Sequence, residues 1–179
     1  MTQAGIVYGE ALYDLCLDEG LTAMVLQQLQ ALQNSFAAEP DYLRLLSSPA
    51  IAKQERCQIL DDGFRGKVHP YVLNFLKILT EKSYIRLFHH CCKAYRVRFH
   101  ADNGILPVAA VTAMELTEVQ AQRLREKLSS VTGKTIELNN QVDPAVLGGM
   151  RLDFDGKRLD DTIRKRLDTV GSLLQNTVL

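Results

Sequence analysis

Residues 142–167 read VDPAVLGGMRLDFDGKRLDDTIRKRL, and this run decides the fold class. Asp143-Pro144 caps and starts a short turn, because a proline at a first helical position gives up an N–H that has no partner there. Gly148-Gly149 ends the turn, where glycine tolerates positive φ. Met150, Leu152 and Phe154 then alternate with Arg151, Asp153 and Asp155, the period of a strand with one buried face. Asp155-Gly156 is a two-residue hairpin signal. After a short return, Asp160 or Asp161 caps a helix that carries Ile163, Leu167, Val170 and Leu174 on one face. The run holds no catalytic constellation. Asp153-Phe154-Asp155-Gly156 places its glycine too early for an EF-hand loop, which needs glycine at its sixth position and glutamate at its twelfth. Gly148-Gly149 lacks the rest of a dinucleotide or phosphate-loop fingerprint, so both are read as turn glycines.

Upstream, the same alternation continues. Residues 135–142 set Ile136, Leu138 and Val142 on one side of a strand. Before it, Thr117 with Gln120 forms a capping box, and Leu116 can staple onto Ala121. The helix they start turns Ala121, Leu124, Leu128 and Val131 inward, and Gly133 ends it. Residues 105–114 are rich in β-formers and alanine, with Pro107 confined to an edge or to the start of that strand. The order from there is strand, helix, strand, turn, strand, helix, a small α/β unit.

The first hundred residues keep a helical period throughout. Residues 4–17 place Tyr8, Ala11, Leu12, Leu15 and Cys16 on one stripe, closed by Gly20. Gly9 costs this helix about 1 kcal/mol of propensity, or else permits close approach of another backbone. Residues 21–37 form a second helix with a seam of Val25, Leu29, Leu32 and Phe36, broken at Pro40. Residues 41–46 give a third, and residues 52–62 a fourth that closes at Gly63. His69-Pro70 opens a fifth, with Val72, Phe75, Leu76 and Leu79 on one face. Ser83 caps a sixth, burying Tyr84, Phe88, Cys91, Tyr95 and Phe99 in turn. Short connections between helices favour antiparallel neighbours. The fold class is therefore α+β: a six-helix bundle over residues 1–104, then a small α/β domain over residues 105–179.

Composition narrows the function. The 179 residues are 46% hydrophobic with zero formal net charge, which suits a packed core and supplies no global field for nucleic acid or anionic membrane. No apolar run is long enough to span a bilayer. The N-terminus shows neither the basic start and apolar core of a signal peptide nor an Arg- and Ser-rich transit segment. Cys16, Cys57, Cys91 and Cys92 do not form a disulfide framework and are read as reduced thiols. His89 and His90 beside the last pair invite a zinc reading, but helix neighbours do not face one another, and no metal is expected. Arg86, Lys93, Arg96 and Arg98, interleaved with Phe88, Tyr95 and Phe99, leave an RNA-binding or regulatory bundle as the alternative function. The aromatic residues sit at helical spacing, which favours core. No paired acid and base, nucleophile motif or phosphate loop points to an enzyme, and no cofactor is expected.

The opening run also resembles the C-terminal signature of the delta subunit of F-type ATP synthases, the family that includes the mitochondrial oligomycin-sensitivity-conferring protein. Asp143-Pro144, Gly148-Gly149, Asp160 and residues 164–167 carry the resemblance, while Asp161-Thr162 stands where the family more often has Gly-Ser. Tyr8-Gly9-Glu10-Ala11-Leu12 is similar to the family's opening helix, with Gly9 where alanine is commoner. Leu73-Asn74-Phe75-Leu76-Lys77-Ile78-Leu79 is similar to its fifth helix. The resemblance implies a non-catalytic stator subunit, and the lack of a transit segment favours a bacterium, so the cytoplasmic face of a bacterial plasma membrane is the expected location. It implies that the bundle receives the amphipathic N-terminal helix of an alpha subunit in a groove between its first and fifth helices. Candidate groove residues are Tyr8, Leu12, Leu15, Phe75, Leu76 and Leu79; taken singly, each is read as bundle core before groove, because a helix stripe usually packs inward. The C-terminal region is expected to meet the end of the b-type stalk helices through Ile163, Arg164, Leu167, Val170 and Leu174. Membrane association is then indirect, through the complex.

Overall fold

The structure, a computed structural model, describes residues 2–146, 148–154 and 156–162. The chain divides into two compact units, Met1–Phe99 and His100–Leu179. The class is α+β. The first unit is helical: α1 (Gln3–Asp18), α2 (Thr22–Ala38), α3 (Pro40–Leu46), α4 (Lys53–Phe64), α5 (Pro70–Glu81) and α6 (Phe88–Asp102), the last running across the unit boundary. Local chemistry explains the ends. Thr2 caps α1 by accepting from the Gly5 N–H. His69 accepts from the Tyr71 N–H ahead of Pro70 at the first position of α5. Gly20 ends α1 in the left-handed conformation, with the Leu21 N–H on the Cys16 carbonyl and its own N–H on that of Leu17.

Two expected boundaries shift. Gly63 lies inside α4, and the left-handed turn falls instead at Gly66. Ser83 caps no helix. It adopts φ 61° and closes α5, with its N–H on the Thr80 carbonyl and the Tyr84 N–H on that of Leu79. A 3-10 turn, Ile85–Leu87, then leads into α6. Ser83 thus occupies the position usually given to glycine, and the helix signal expected there is spent on stopping the previous one.

The core of this unit gathers Tyr13, Val25, Leu29, Leu46, Leu60, Val72, Leu76, Leu79, Ile85 and Tyr95, all without appreciable exposure. Phe36 sits at the centre of an aromatic cluster, stacked on Tyr42 and edge-on to Phe64 and Phe88. The buried face of α1 is rotated from the expected stripe. It comprises Gly5, Gly9, Leu12, Tyr13 and Cys16, whereas Ala11 and Leu15 are exposed. The cause is α6. A Cβ on Gly9 would stand 2.3 Å from the Cys91 carbonyl oxygen, and one on Gly5 2.7 Å from the His90 Cβ. The glycines let the two backbones meet, so the close approach expected for Gly9 is what the structure shows.

The second unit carries β1 (Ile105–Thr112), α7 (Glu118–Thr132), β2 (Thr135–Val142), a 3-10 turn (Pro144–Val146), β3 (Met150–Phe154) and β4 (Lys157–Asp160). The sheet order is β2-β1-β3-β4. β1 and β2 are parallel, so α7 is their crossover; β3 runs antiparallel to β1, and β4 returns antiparallel to β3 with Lys157 opposite Phe154. That register is the two-residue hairpin expected at Asp155-Gly156, and the expected short return is a fourth strand. Pro107 lies in an inner strand, yet β3 pairs only from Ala109 onward, so at Pro107 one side of β1 is still open.

Leu106, Val108, Ala110, Ile136 and Leu152 form the core of this unit, with Leu124, Leu128, Leu138, Met150 and Phe154 packed on it. The capping box of Thr117 and Gln120 is present. Two expected inward residues are not buried: Val131 is 79% and Val142 52% exposed. Both stand in the last turn or last pair of their element, past the edge of the core they were assigned to. Asp160 accepts from the Thr162 N–H and hydroxyl. The helix it was expected to cap, with Ile163, Arg164, Leu167, Val170 and Leu174, lies outside the described residues.

Candidate functional site

Two contacts link the α1 and α5 regions of the chain. Near the end of α1, the Tyr71 hydroxyl donates to the Glu19 carboxylate. Near its start, the Tyr8 ring meets Tyr84 edge-on, with centroids 6.0 Å apart. Tyr8, Leu12, Leu15 and Glu19 recur at helical spacing along one side of α1, and Tyr71, Phe75 and Ile78 along one side of α5. The helices are therefore antiparallel across this seam. The Glu19 carboxylate, helped by burial, raises the Tyr71 hydroxyl above its ordinary pKa.

The six residues expected in this groove divide by depth. Leu12, Phe75, Leu76 and Leu79 are buried and belong to the core cluster. Tyr8 is half-buried and packs against that cluster, and Leu15 is 46% exposed. The structure adds Ile78, which sequence reasoning missed, at 43% exposure, and corrects Tyr84, which was expected to be buried: it precedes α6 in the turn after α5 and is 41% exposed. The available signal was the width of the α5 apolar arc, which Tyr71 and Ile78 extend beyond the four residues assigned to it. Buried apolar residues on α1 and α5 are thus accompanied, on the same helices and at Tyr84, by apolar groups open to solvent. Such a surface can accept an apolar helix face, and it holds no acid–base pair.

The basic stretch of α6 takes a different form from an RNA surface. Phe88 and Tyr95 are in the core, and the Tyr95 hydroxyl donates to the Thr22 carbonyl. Arg96 donates to Gln33, Arg98 lies 3.8 Å from Asp14, and Arg86 donates to Ser47. Lys93 remains exposed. The aromatic groups are thus not available for base stacking. Among the described residues, no three His, Cys, Asp or Glu side chains gather as metal ligands would. Cys91 and Cys92 are buried and His89 pairs with Gln33. Asp153 is held by Arg158 at 2.7 Å and by Arg151 at 3.3 Å, and Arg158 chiefly lowers its pKa below the ordinary value.

Residues 6–174 match the family model described as ATP synthase delta (OSCP) subunit. The chain belongs to that family. The ATP synthase subunit delta of Alkaliphilus oremlandii is 30% identical over 172 residues, covering 96% of both chains. That of Gloeobacter violaceus is 32% identical over 162 residues, covering 89% of this chain and 88% of the relative. Among solved structures, a chain of the Toxoplasma gondii mitochondrial ATP synthase hexamer shares the fold at TM-score 0.73 and 19% identity, covering 98% of both chains. As a member of this family, the chain is a non-catalytic subunit of the peripheral stalk of F-type ATP synthase, and serves ATP synthesis coupled to proton transport as a structural component. Among the described residues, no helix is long and apolar enough to cross a membrane.

Proposed function

We propose that the α1–α5 seam receives the amphipathic N-terminal helix of an alpha subunit of the catalytic head. In this reading residues 1–104 are a six-helix bundle that binds the head, and residues 105–179 an α/β domain that meets the C-terminal end of the b-type stalk subunit. Ile163, Arg164, Leu167, Val170 and Leu174 are the proposed stalk contacts. The assembly holds the head still against the rotor at the cytoplasmic face of a bacterial plasma membrane, as the bacterial relatives favour.

One observation carries the head-binding reading. Leu15 on α1 and Ile78 on α5 are apolar and nearly half exposed, each one helical turn from a buried residue of its own helix, Leu12 and Phe75. An incoming apolar stripe would cover them, while Leu12 and Phe75 stay in the core. The test is a labelled peptide copying the N-terminal helix of the alpha subunit from the same source, titrated with this protein and followed by fluorescence anisotropy. An unrelated amphipathic helix serves as control. Specific saturable binding is expected, weakened about tenfold or more by Leu15→Asp or Ile78→Asp, the scale of a central apolar contact. Folded variants that bind the peptide normally would remove the seam from the interface.

A further inference from the structure

A concavity of about 610 Å³ lies where the end of α3 meets the start of α4, beside Ser83 and Arg86. Its polar lining is Lys53, Arg56, Arg86, Ser47 and Ser83, with no acidic side chain among the described residues. Arg56 is unusual. It is 4% exposed, its Nη1 donates to the Leu46 carbonyl at 3.0 Å, and its buried Nε meets no acceptor among the described residues. A guanidinium withdrawn from water without a carboxylate partner is costly unless an anion supplies the missing charge. Lys53 and Arg86 are exposed, and Arg86 spends one donor on the Ser47 hydroxyl at 3.1 Å. Helix α4 begins beside these cations with Ala52 at its N-cap and no side-chain acceptor, so its first-turn N–H groups stay open to an anion. Glu55, in the same first turn, is exposed and does not line the cavity.

We propose that this cavity is a binding site for a phosphate-class oxyanion, held by Arg56, Lys53, Arg86 and the N-terminus of α4. The donors come from a buried guanidinium, an exposed guanidinium, an ammonium and a helix end. This is the many-sided, acceptor-free set that a tetrahedral dianion satisfies better than a planar carboxylate. The volume exceeds that of a single ion, and Pro49 and Ile51 give part of the wall an apolar surface, so the phosphate can be free or carried on a larger molecule.

The test uses the full chain labelled with 15N. Sodium phosphate is titrated against sodium chloride at matched ionic strength, and the Lys53 and Gln54 amides are followed. Saturable shifts at these amides are expected. The double variant Lys53→Gln, Arg86→Gln should weaken binding about tenfold or more, the scale of losing charge-assisted bonds. Its circular dichroism should match the parent, since neither side chain is buried, and Lys134→Gln in the second unit should bind as the parent does. A parallel titration with ADP separates the two sources: shifts at the same amides that displace phosphate assign the site to an esterified phosphate, and phosphate binding that ADP leaves intact assigns it to the free ion. Absence of saturable shifts with both probes, or a folded double variant with parental affinity, would overturn the site.

Discussion

Gly9 faces the Cys91 carbonyl oxygen so closely that a Cβ on the glycine would lie 2.3 Å from it. The obstruction is backbone, which cannot rotate aside as a side chain can. Helix propensity alone says that Gly9→Ala stabilises α1 by about 1 kcal/mol. Packing says the opposite, because α1 must move off α6 and disturb Tyr13 and Tyr95, whose rings meet edge-on at 5.2 Å. Overpacking of this kind costs about 1–3 kcal/mol and exceeds the propensity gain at its upper end. Gly9→Ala is expected to lower stability in urea denaturation, and a stabilised variant would show that the helices are free to separate.

The same contact shows where the sequence is legible and where it is not. Thr117 with Gln120, His69-Pro70, Gly20 and the Met150–Phe154 alternation act locally, so their structural outcome follows from a few neighbouring residues. The rotation of the α1 face does not. Gly5 and Gly9 add nothing to an apolar stripe, yet they define the buried side because α6 comes to them. Leu15 falls on the expected apolar stripe of α1, and only the placement of neighbouring helices leaves it open. Arg56 reads as an ordinary helix cation until α3 covers it. Local pattern thus gave the elements, while burial at the candidate sites depends on partners distant in sequence.

Asp61 offers a pH test. Its side chain is 11% exposed, with Lys77 Nζ at 2.7 Å and Arg65 at 3.3 Å. The Lys77 contact chiefly lowers its pKa below the ordinary 3.8, with Arg65 adding to this and burial opposing it. A carboxylate lowered by folding contributes stability that is complete above its unfolded value and is lost as pH falls through the folded one. Asp61→Asn is therefore expected to be less stable at pH 7, with the gap to the parent narrowing as pH drops below 3.8. Urea midpoints measured across that range decide the point; a gap independent of pH would remove the ion pair as its cause.

Asn140 is a half-buried structural residue of β2. Its amide oxygen accepts from the Leu116 N–H at 2.7 Å, and its amide nitrogen donates to the Ala110 carbonyl and the Thr112 hydroxyl, both at 2.9 Å. It ties the loop before α7 to the paired strands. Asn140→Ala leaves these groups without their partner, at a cost of about 1–3 kcal/mol. Native-state hydrogen exchange at the Leu116 amide is expected to accelerate, whereas amides in the first unit should keep their protection. Unchanged exchange at Leu116 would mean that the loop is held by other contacts.

The thiols make the last prediction, because their environments differ. All four cysteines are free; Cys16, Cys91 and Cys92 are buried, and Cys57 is half-buried beside Glu81. Burial pushes the Cys91 thiol up to about 11 and moves Cys92 further in the same direction. Cys16 and Cys57 are also raised, again chiefly by desolvation. The reactive species is the thiolate, so both access and ionisation protect the buried three. Iodoacetamide at pH 7.5, a condition about one unit below a free thiol's pKa, is expected to modify Cys57 first and slowly. Cys16, Cys91 and Cys92 should react only on unfolding, which peptide mass spectrometry resolves site by site. Gly9→Ala should expose the link between packing and reactivity, since moving α1 off α6 uncovers the Cys91 side of the core. Faster labelling of Cys91 in that variant, with Cys57 unchanged, is the expected pattern; equal acceleration at every thiol would instead report global unfolding.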